Sequence, residues 1–237
     1  MRKFALVLSL VIGALLLQSV LAVLALRYFT PWTTAFIVEA RVASWFDDDP
    51  RPWKLQRKWR DLDAISPQLQ LAVIASEDQR FPEHDGFDFE QIQKSLDAAE
   101  STGRSRGAST ITQQVAKNLF LWGGRNWVRK GLEAWYTVLI EWMWPKQRTL
   151  EMYVNVAQFG RGIYGAEAAA QAFYHKPASG LTASEAARMA AVLPNPKRFR
   201  IDAPSKYVLR RQAQIEAQMR ALGGASYLQQ LKAAAAD

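Results

Sequence analysis

The chain has 237 residues, 49% hydrophobic and 22% charged, enough apolar material for one sizeable core once an N-terminal apolar stretch is set aside. Cysteine is absent, which excludes disulfides, thiol nucleophiles and cysteine-ligated zinc. The two histidines, His84 and His175, are far apart in sequence, so no metal site is assigned. A formal net charge of +8 favours anionic partners without choosing among nucleic acid, acidic lipid and a phosphorylated substrate.

From Phe4 to Leu26 there is no charge, and only Ser9, Gln18 and Ser19 are noticeably polar. At about 1.5 Å per residue this stretch spans a hydrocarbon core of about 30 Å, and it reads as a transmembrane helix. Arg2 and Lys3 before it leave the N-terminus in the cytoplasm by the positive-inside bias, with Arg27 as a weak counter-signal. A cleaved signal peptide competes, with Val23-Leu24-Ala25 as a passable cleavage site, but the apolar stretch exceeds the roughly 7–15 residues usual there.

Tyr28 to Arg60 mixes Trp32, Trp45, Trp53 and Trp59 with Asp47-Asp48-Asp49-Pro50 and several cations, which suits a linker near lipid headgroups. Beyond Ile65 the signals are helical. Ser66-Pro67 is an N-cap followed by Pro at the first helical position, and predicts a helix running to Glu77. Asp88 with Gln91, and Thr182 with Glu185, resemble capping boxes. A helix beginning near Trp127 ends at Pro145, and Gly223-Gly224 closes one that starts after Pro204. No sustained β alternation or repeat period occurs, so a mostly α fold is expected.

Glu77 ends the apolar run Leu71 to Ser76, where desolvation would raise its pKa toward that of a general base or acid; on that pattern alone, a merely solvated carboxylate at the polar edge of a helix is the commoner reading. In Arg106 to Asn118, small and hydroxylated residues lead into a helix whose start suits anions, with Lys117 two turns on. The plainer reading is a Ser109 N-cap with a solvated polar face. Arg129 and Lys130 flank Glu133 at i,i+4 and i,i+3, a spacing common on helix surfaces. Lys146, Glu151, Tyr153 and Asn155 read as a polar face. Trp127, Trp135, Trp142 and Trp144 fit core packing or a lipid-dipping surface alike.

In order, these blocks resemble the peptidoglycan glycosyltransferases, in particular the monofunctional biosynthetic transglycosylases. Glu77-Asp78-Gln79-Arg80-Phe81-Pro82-Glu83-His84-Asp85-Gly86 resembles the family's Glu-x-x-x-Phe-x-x-His-x-Gly motif. Gly107 to Asn118, Arg129 to Glu133, Lys146 to Asn155 and Ala191 to Pro196 follow in the family's order, covering about half the chain. Ala108 departs from a commoner Gly, and Thr149 and Val154 from commoner aliphatics; no charged position is affected.

The resemblance implies a mostly α, lysozyme-like helical glycosyltransferase domain with a smaller membrane-associated lobe behind an N-terminal transmembrane helix. The divisions expected are 1–27 for the cytoplasmic N-terminus and anchor, 28–62 for a juxtamembrane linker, and 63–237 for the catalytic domain. It implies polymerisation of lipid II into β-1,4-linked glycan strands with release of undecaprenyl diphosphate, by inversion, with Glu77 as general base. Lys117, Arg125 and Lys130 would surround the departing pyrophosphate, and Glu133 would be a second essential carboxylate that holds those cations or helps bind a divalent ion. Ser109, Thr110, Gln113 and Gln114 would line the donor site, while Phe81, His84 and Gly86 would shape the loop beside Glu77. No cofactor is required by the resemblance, although Mg or Mn at the pyrophosphate is compatible with it. The partners implied are lipid II, the growing glycan strand, inner-membrane lipids, and cell-wall synthesis and division proteins. The domain would be periplasmic on a single-pass inner-membrane anchor, and nucleic acid is not a partner. No Ser-x-x-Lys occurs in the chain, so transpeptidase chemistry is not expected. Two rivals stand beside this reading: a lysozyme-like lytic enzyme, which would have no pyrophosphate to stabilise, and a noncatalytic cell-wall synthesis scaffold.

Overall fold

The computed structural model describes residues 1–47, 49, 52–102, 107–124 and 126–229. The element order is α1 (Arg2–Tyr28), α2 (Ala35–Ala43), β1 (Gln56–Arg57), α3 (Pro67–Glu77), α4 (Phe89–Thr102), α5 (Ile111–Phe120), α6 (Trp127–Met143), α7 (Lys146–Val156), β2 (Gln158–Gly160), β3 (Ile163–Tyr164), α8 (Ala166–Tyr174), α9 (Ala183–Val192) and α10 (Lys206–Ala221).

Helix α1 is the one helix among the described residues long and apolar enough to cross a membrane. Ser9 and Ser19 return their hydroxyls to the carbonyls of Leu6 and Leu16, so neither leaves an unsatisfied donor on an apolar helix. Its C-terminal half docks on α6. There Trp135 Nε1 donates to Ser19 Oγ at 3.0 Å and Trp144 Nε1 to the Val23 carbonyl at 2.8 Å. The tryptophans divide between the two roles open to them: Trp144 is buried, whereas Trp127 and Trp142 stand 91% and 79% exposed, so α6 offers water-facing or lipid-facing apolar surface beside α1.

The core centres on α3. Leu69 to Ala75 are all buried, which is why this helix shows almost no amphipathic stripe: α9, α10 and α7 pack around it. Each fully buried Leu or Ile contributes about 1.5–3 kcal/mol relative to exposure. The Ser66 side chain caps the start by accepting from Gln68 N, and its hydroxyl also donates to the Leu181 carbonyl at 2.8 Å, tying the start of α3 to the loop before α9. At α9, Thr182 and Glu185 form a full capping box. At α4, Asp88 Oδ1 accepts from Gln91 N at 2.9 Å.

Helix α5 departs from expectation in its cap. Thr110, not Ser109, is the N-cap: its hydroxyl accepts from Gln113 N, and Gln113 Oε1 accepts from Thr110 N. The spacing Thr110-x-x-Gln113 carries that signal in the sequence.

Among the described residues there is also a small sheet in the order β1-β3-β2, with β1 parallel and β2 antiparallel to β3. Strands of two or three residues are too short for alternation to show. Gly162, at φ 74°, makes the sheet possible, since a Cβ there would lie 2.3 Å from the Lys54 carbonyl oxygen. Much of 28–62, expected as a linker, is thereby folded onto the body. β1 joins the sheet, α2 packs against α5, and Asn155 clasps the Arg60 backbone, accepting from its N–H at 2.9 Å and donating to its carbonyl at 2.8 Å.

Candidate active site

Glu77 is the last residue of α3, half-buried where that helix leaves the core. Gln114 of α5 donates Nε2 to Glu77 Oε2 at 2.7 Å, and the buried Tyr153 of α7 donates its hydroxyl to Gln114 Oε1 at 3.2 Å. Burial drives the Glu77 pKa up; the Gln114 hydrogen bond and the charges of Arg211 and Lys117 pull it down, Asp78 adds to the rise, and the net displacement is upward. Burial, with the Glu77 charge second, holds the Tyr153 phenol well above its ordinary pKa, so it remains a neutral donor.

The loop after Glu77 is organised by Asp78. Its Oδ1 pairs with His84 Nε2 at 2.9 Å and its Oδ2 accepts from Ile111 N at 3.0 Å. The anion expected at the start of α5 is thus the protein's own carboxylate, and the Thr110 and Gln113 side chains are engaged in the cap rather than presented to a ligand. Ser109 is exposed, and Gln114 alone of this set touches Glu77.

Phe81 is fully buried, edge-on to His84 at 6.5 Å, with Lys146 Nζ 4.9 Å from its ring centre. Gly86, at φ 83°, accepts the Thr110 hydroxyl at 2.7 Å, and a Cβ there would press on Glu141 and Thr137 of α6.

A second carboxylate lies deeper. Glu133 is 3% exposed; its Oε2 accepts from Arg129 Nη1 at 2.7 Å, and its Oε1 pairs with Lys130. The cluster is therefore no surface decoration: Arg129 is buried with Glu133, while Lys130 is partly exposed. Lys117 joins the two carboxylates electrostatically. Burial lowers its pKa most, Glu133 and Glu77 raise it, Arg129 and Lys130 lower it, and the net value is below that of an ordinary lysine. Its ammonium also lies 5.4 Å from the Phe36 ring of α2, so the packed residues of 28–62 reach the site. Arg125 lies outside the described residues.

A family model described as Transglycosylase matches residues 49–220. The chain belongs to the peptidoglycan transglycosylase family. Among similar proteins is the biosynthetic peptidoglycan transglycosylase of Xanthomonas campestris pv. campestris (strain B100), 57% identical over 211 residues, 89% of this chain and 85% of that one. Others bearing the same description come from Pseudomonas syringae pv. syringae (strain B728a), 54% identical over 90% of this chain and 89% of its own, and Chromohalobacter salexigens, 52% identical over 90% of each. The chain is thus a peptidoglycan glycosyltransferase with a mostly α, lysozyme-like fold.

Two arrangements bear on a metal in this glycosyltransferase. Both Glu133 oxygens are taken by cationic side chains, so a divalent ion does not fit there without displacing them. Asp78, His84 and Asp88 bring ligand-type atoms within 4.8 Å, but these atoms already serve the loop, and Arg80 lies 3.5 Å from Asp88 Oδ1.

Residues absent from the sequence-derived site are Tyr153, Asp78 and Arg129, all quoted in motif blocks without a role, and Arg211, which stands outside them. A cavity of about 630 Å³ lies between α2, the sheet and the 196–202 turn, lined by Trp53, Arg161 and Lys197 among others; none of the residues around Glu77 lines it.

Proposed function

We propose that the enzyme polymerises lipid II, with Glu77 as the base. Glu77 takes the proton from the 4-hydroxyl of the acceptor N-acetylglucosamine. The oxygen forms its bond to the anomeric carbon of the donor N-acetylmuramic acid as the bond from that carbon to the diphosphate oxygen breaks. Attack from the face opposite the leaving group inverts the centre, so the linkage is β-1,4 and undecaprenyl diphosphate departs.

The observation that carries this reading is that α5 links the two carboxylates: its Gln114 holds Glu77 at 2.7 Å, its Lys117 lies three residues on, and the helix packs on α6, which bears Glu133. Negative charge grows on the diphosphate as it leaves, and fixed cations beside it favour the transition state over the ground state. Lys117, Lys130 and Arg125 take that role. Glu133, pinned to Arg129 and Lys130, holds the cations in place, and a diphosphate needs no acid to leave. Gln114 sets the Glu77 carboxylate, Phe81, His84 and Gly86 hold the loop beside it, and Ser109, Thr110 and Gln113 shape the donor side through the start of α5.

Helix α1 anchors the enzyme as a single pass in the inner membrane, with the catalytic domain periplasmic, where its substrate's lipid tail lies in the same bilayer. Transpeptidation falls to other proteins of wall synthesis, since Ser-x-x-Lys is absent. The test is turnover of labelled lipid II by the purified full-length enzyme. Glu77→Gln abolishes polymer while leaving folding intact; undiminished polymer in that variant sinks the base assignment, and cleavage of finished glycan by the parent would favour a lytic enzyme.

A further inference from the structure

Arg211 belongs to α10, beyond all the motif blocks, yet it reaches the end of α3. Its Nη2 donates to the Ser76 carbonyl at 3.0 Å, one residue before Glu77. Val208, Gln212, Ile215 and Met219 of α10 are buried, so α10 is fastened and Arg211 stands half-buried at its edge. The last carbonyls of a helix lack intrahelical partners and carry the negative end of its dipole. In α3 these are met by side chains: Gln79 Nε2 donates to the Ala75 carbonyl at 3.0 Å, and Arg211 serves Ser76. A carboxylate at that end is held where negative charge is disfavoured, and a guanidinium bonded to that turn from α10 offsets it.

We propose that Arg211 is the positioning residue of the base: it clamps the last turn of α3 through the Ser76 carbonyl and supplies the fixed positive charge that keeps Glu77 ionised between turnovers. The inference rests on Glu77 being the base. Lys117 is poorly suited to this duty alone, because it also answers to Glu133 and, under the same reading, to the leaving diphosphate. The groups bearing on Glu77 are consistent with the division. Asp78 adjoins it; Gln114 and Lys117 face it from α5, Tyr153 from α7 through Gln114, and Arg211 from α10, the Arg211 charge exceeding that of Lys117 in its pull. From α9, Arg188 Nε donates to Gln212 Oε1 at 2.9 Å, and beyond α10 the Tyr227 hydroxyl donates to the Gln79 carbonyl at 2.6 Å.

The experiment is the pH dependence of lipid II polymerisation by the full-length enzyme in detergent micelles, for the parent, Arg211→Gln, Arg211→Lys and Glu77→Gln. Loss of the charge moves the acid limb of the rate profile upward by about 1 pH unit in Arg211→Gln, with the deficit shrinking as pH rises. Arg211→Lys keeps the limb in place at a lower kcat. A uniform rate loss with an unmoved limb in Arg211→Gln overturns the proposal. Should Arg211→Gln fail to fold, a limb displaced by about 1 unit in Arg211→Lys, whose charge is intact, overturns it instead. Turnover surviving in Glu77→Gln removes the base reading itself; turnover lost there, with the limb unmoved in Arg211→Gln, removes only the role of Arg211.

Discussion

Gln114 stands between Tyr153 and Glu77, receiving the phenol on its amide oxygen at 3.2 Å and giving its amide nitrogen to the carboxylate at 2.7 Å. The two contacts together fix which way the amide points. With the tyrosine bond gone, the amide is free to turn its oxygen toward the carboxylate, an acceptor facing an acceptor.

Tyr153→Phe is therefore expected to lower kcat about 10-fold, equivalent to about 1.4 kcal/mol of transition-state stabilisation. Because a single buried hydrogen bond contributes only about 0.5–1.5 kcal/mol, the folded state survives the change. Steady-state polymerisation with an unfolding curve checks both; unchanged kcat would show that Gln114 needs no support from behind.

The raised pKa of Glu77 has consequences for rate and stability of opposite sign. A general base works when unprotonated, so activity is lost as pH falls through a value above the usual carboxylate range. For stability, the native state prefers the protonated form more than the unfolded chain does. The ionised carboxylate thus costs stability above its folded pKa, and that cost vanishes below the unfolded value of about 4.3. Glu77→Gln is expected to melt higher than the parent at pH 7, with the two curves converging toward pH 4. A lower melting temperature at pH 7 would mean the carboxylate is better satisfied than its burial implies.

What could be read in advance was local. Ser66-Pro67, Thr182 with Glu185, and Pro145 act within a turn of their own position, and the helices they bound are where they point. The α5 cap falls one residue beyond Ser109 because Ser109 and Thr110 are adjacent hydroxyls, and the decisive feature, the return bond from Gln113, belongs only to Thr110. The Glu133 cluster shows the limit of helical spacing: i,i+3 and i,i+4 ion pairs look the same on a surface and in a core, and the packing of α5 on α6 decides which. Tyr153 and Arg211 were illegible for another reason. Their reach toward Glu77 depends on how distant helices pack, and one sequence carries no local mark of that.

Glu133→Ala tests the buried cluster. It leaves Arg129, 8% exposed, without its counter-charge, and stranding one member of a buried ion pair costs about 3–5 kcal/mol. Lys130 is more exposed and regains water, so the cost resides with Arg129. The variant is expected to melt roughly 10 °C lower, at about 2–4 °C per kcal/mol for a domain of this size. Arg129→Met combined with Glu133→Ala recovers part of the loss. Equal melting of single and double variants would show that the arginine is not stranded.

The docking of α1 makes a prediction about the membrane segment. Arg148 donates to the Leu26 carbonyl at 2.9 Å and to the Phe29 carbonyl at 2.8 Å, so α7 holds the very point where α1 ends. Carbonyls at a helix C-terminus have no partners within the helix, and these bonds, made by a charged donor, are each of the stronger class at about 1.5–3 kcal/mol. Trp144 gives its indole N–H to Val23, whose carbonyl lies within α1, so that bond is of the ordinary kind, about 0.5–1.5 kcal/mol. Arg148→Ala is therefore expected to loosen the junction after Tyr28 more than Trp144→Phe does. Limited proteolysis of the full-length protein in micelles reads this as faster cleavage between α1 and α2. If the two variants are cleaved no faster than the parent, α1 is a tether beside the domain rather than a helix fastened to it.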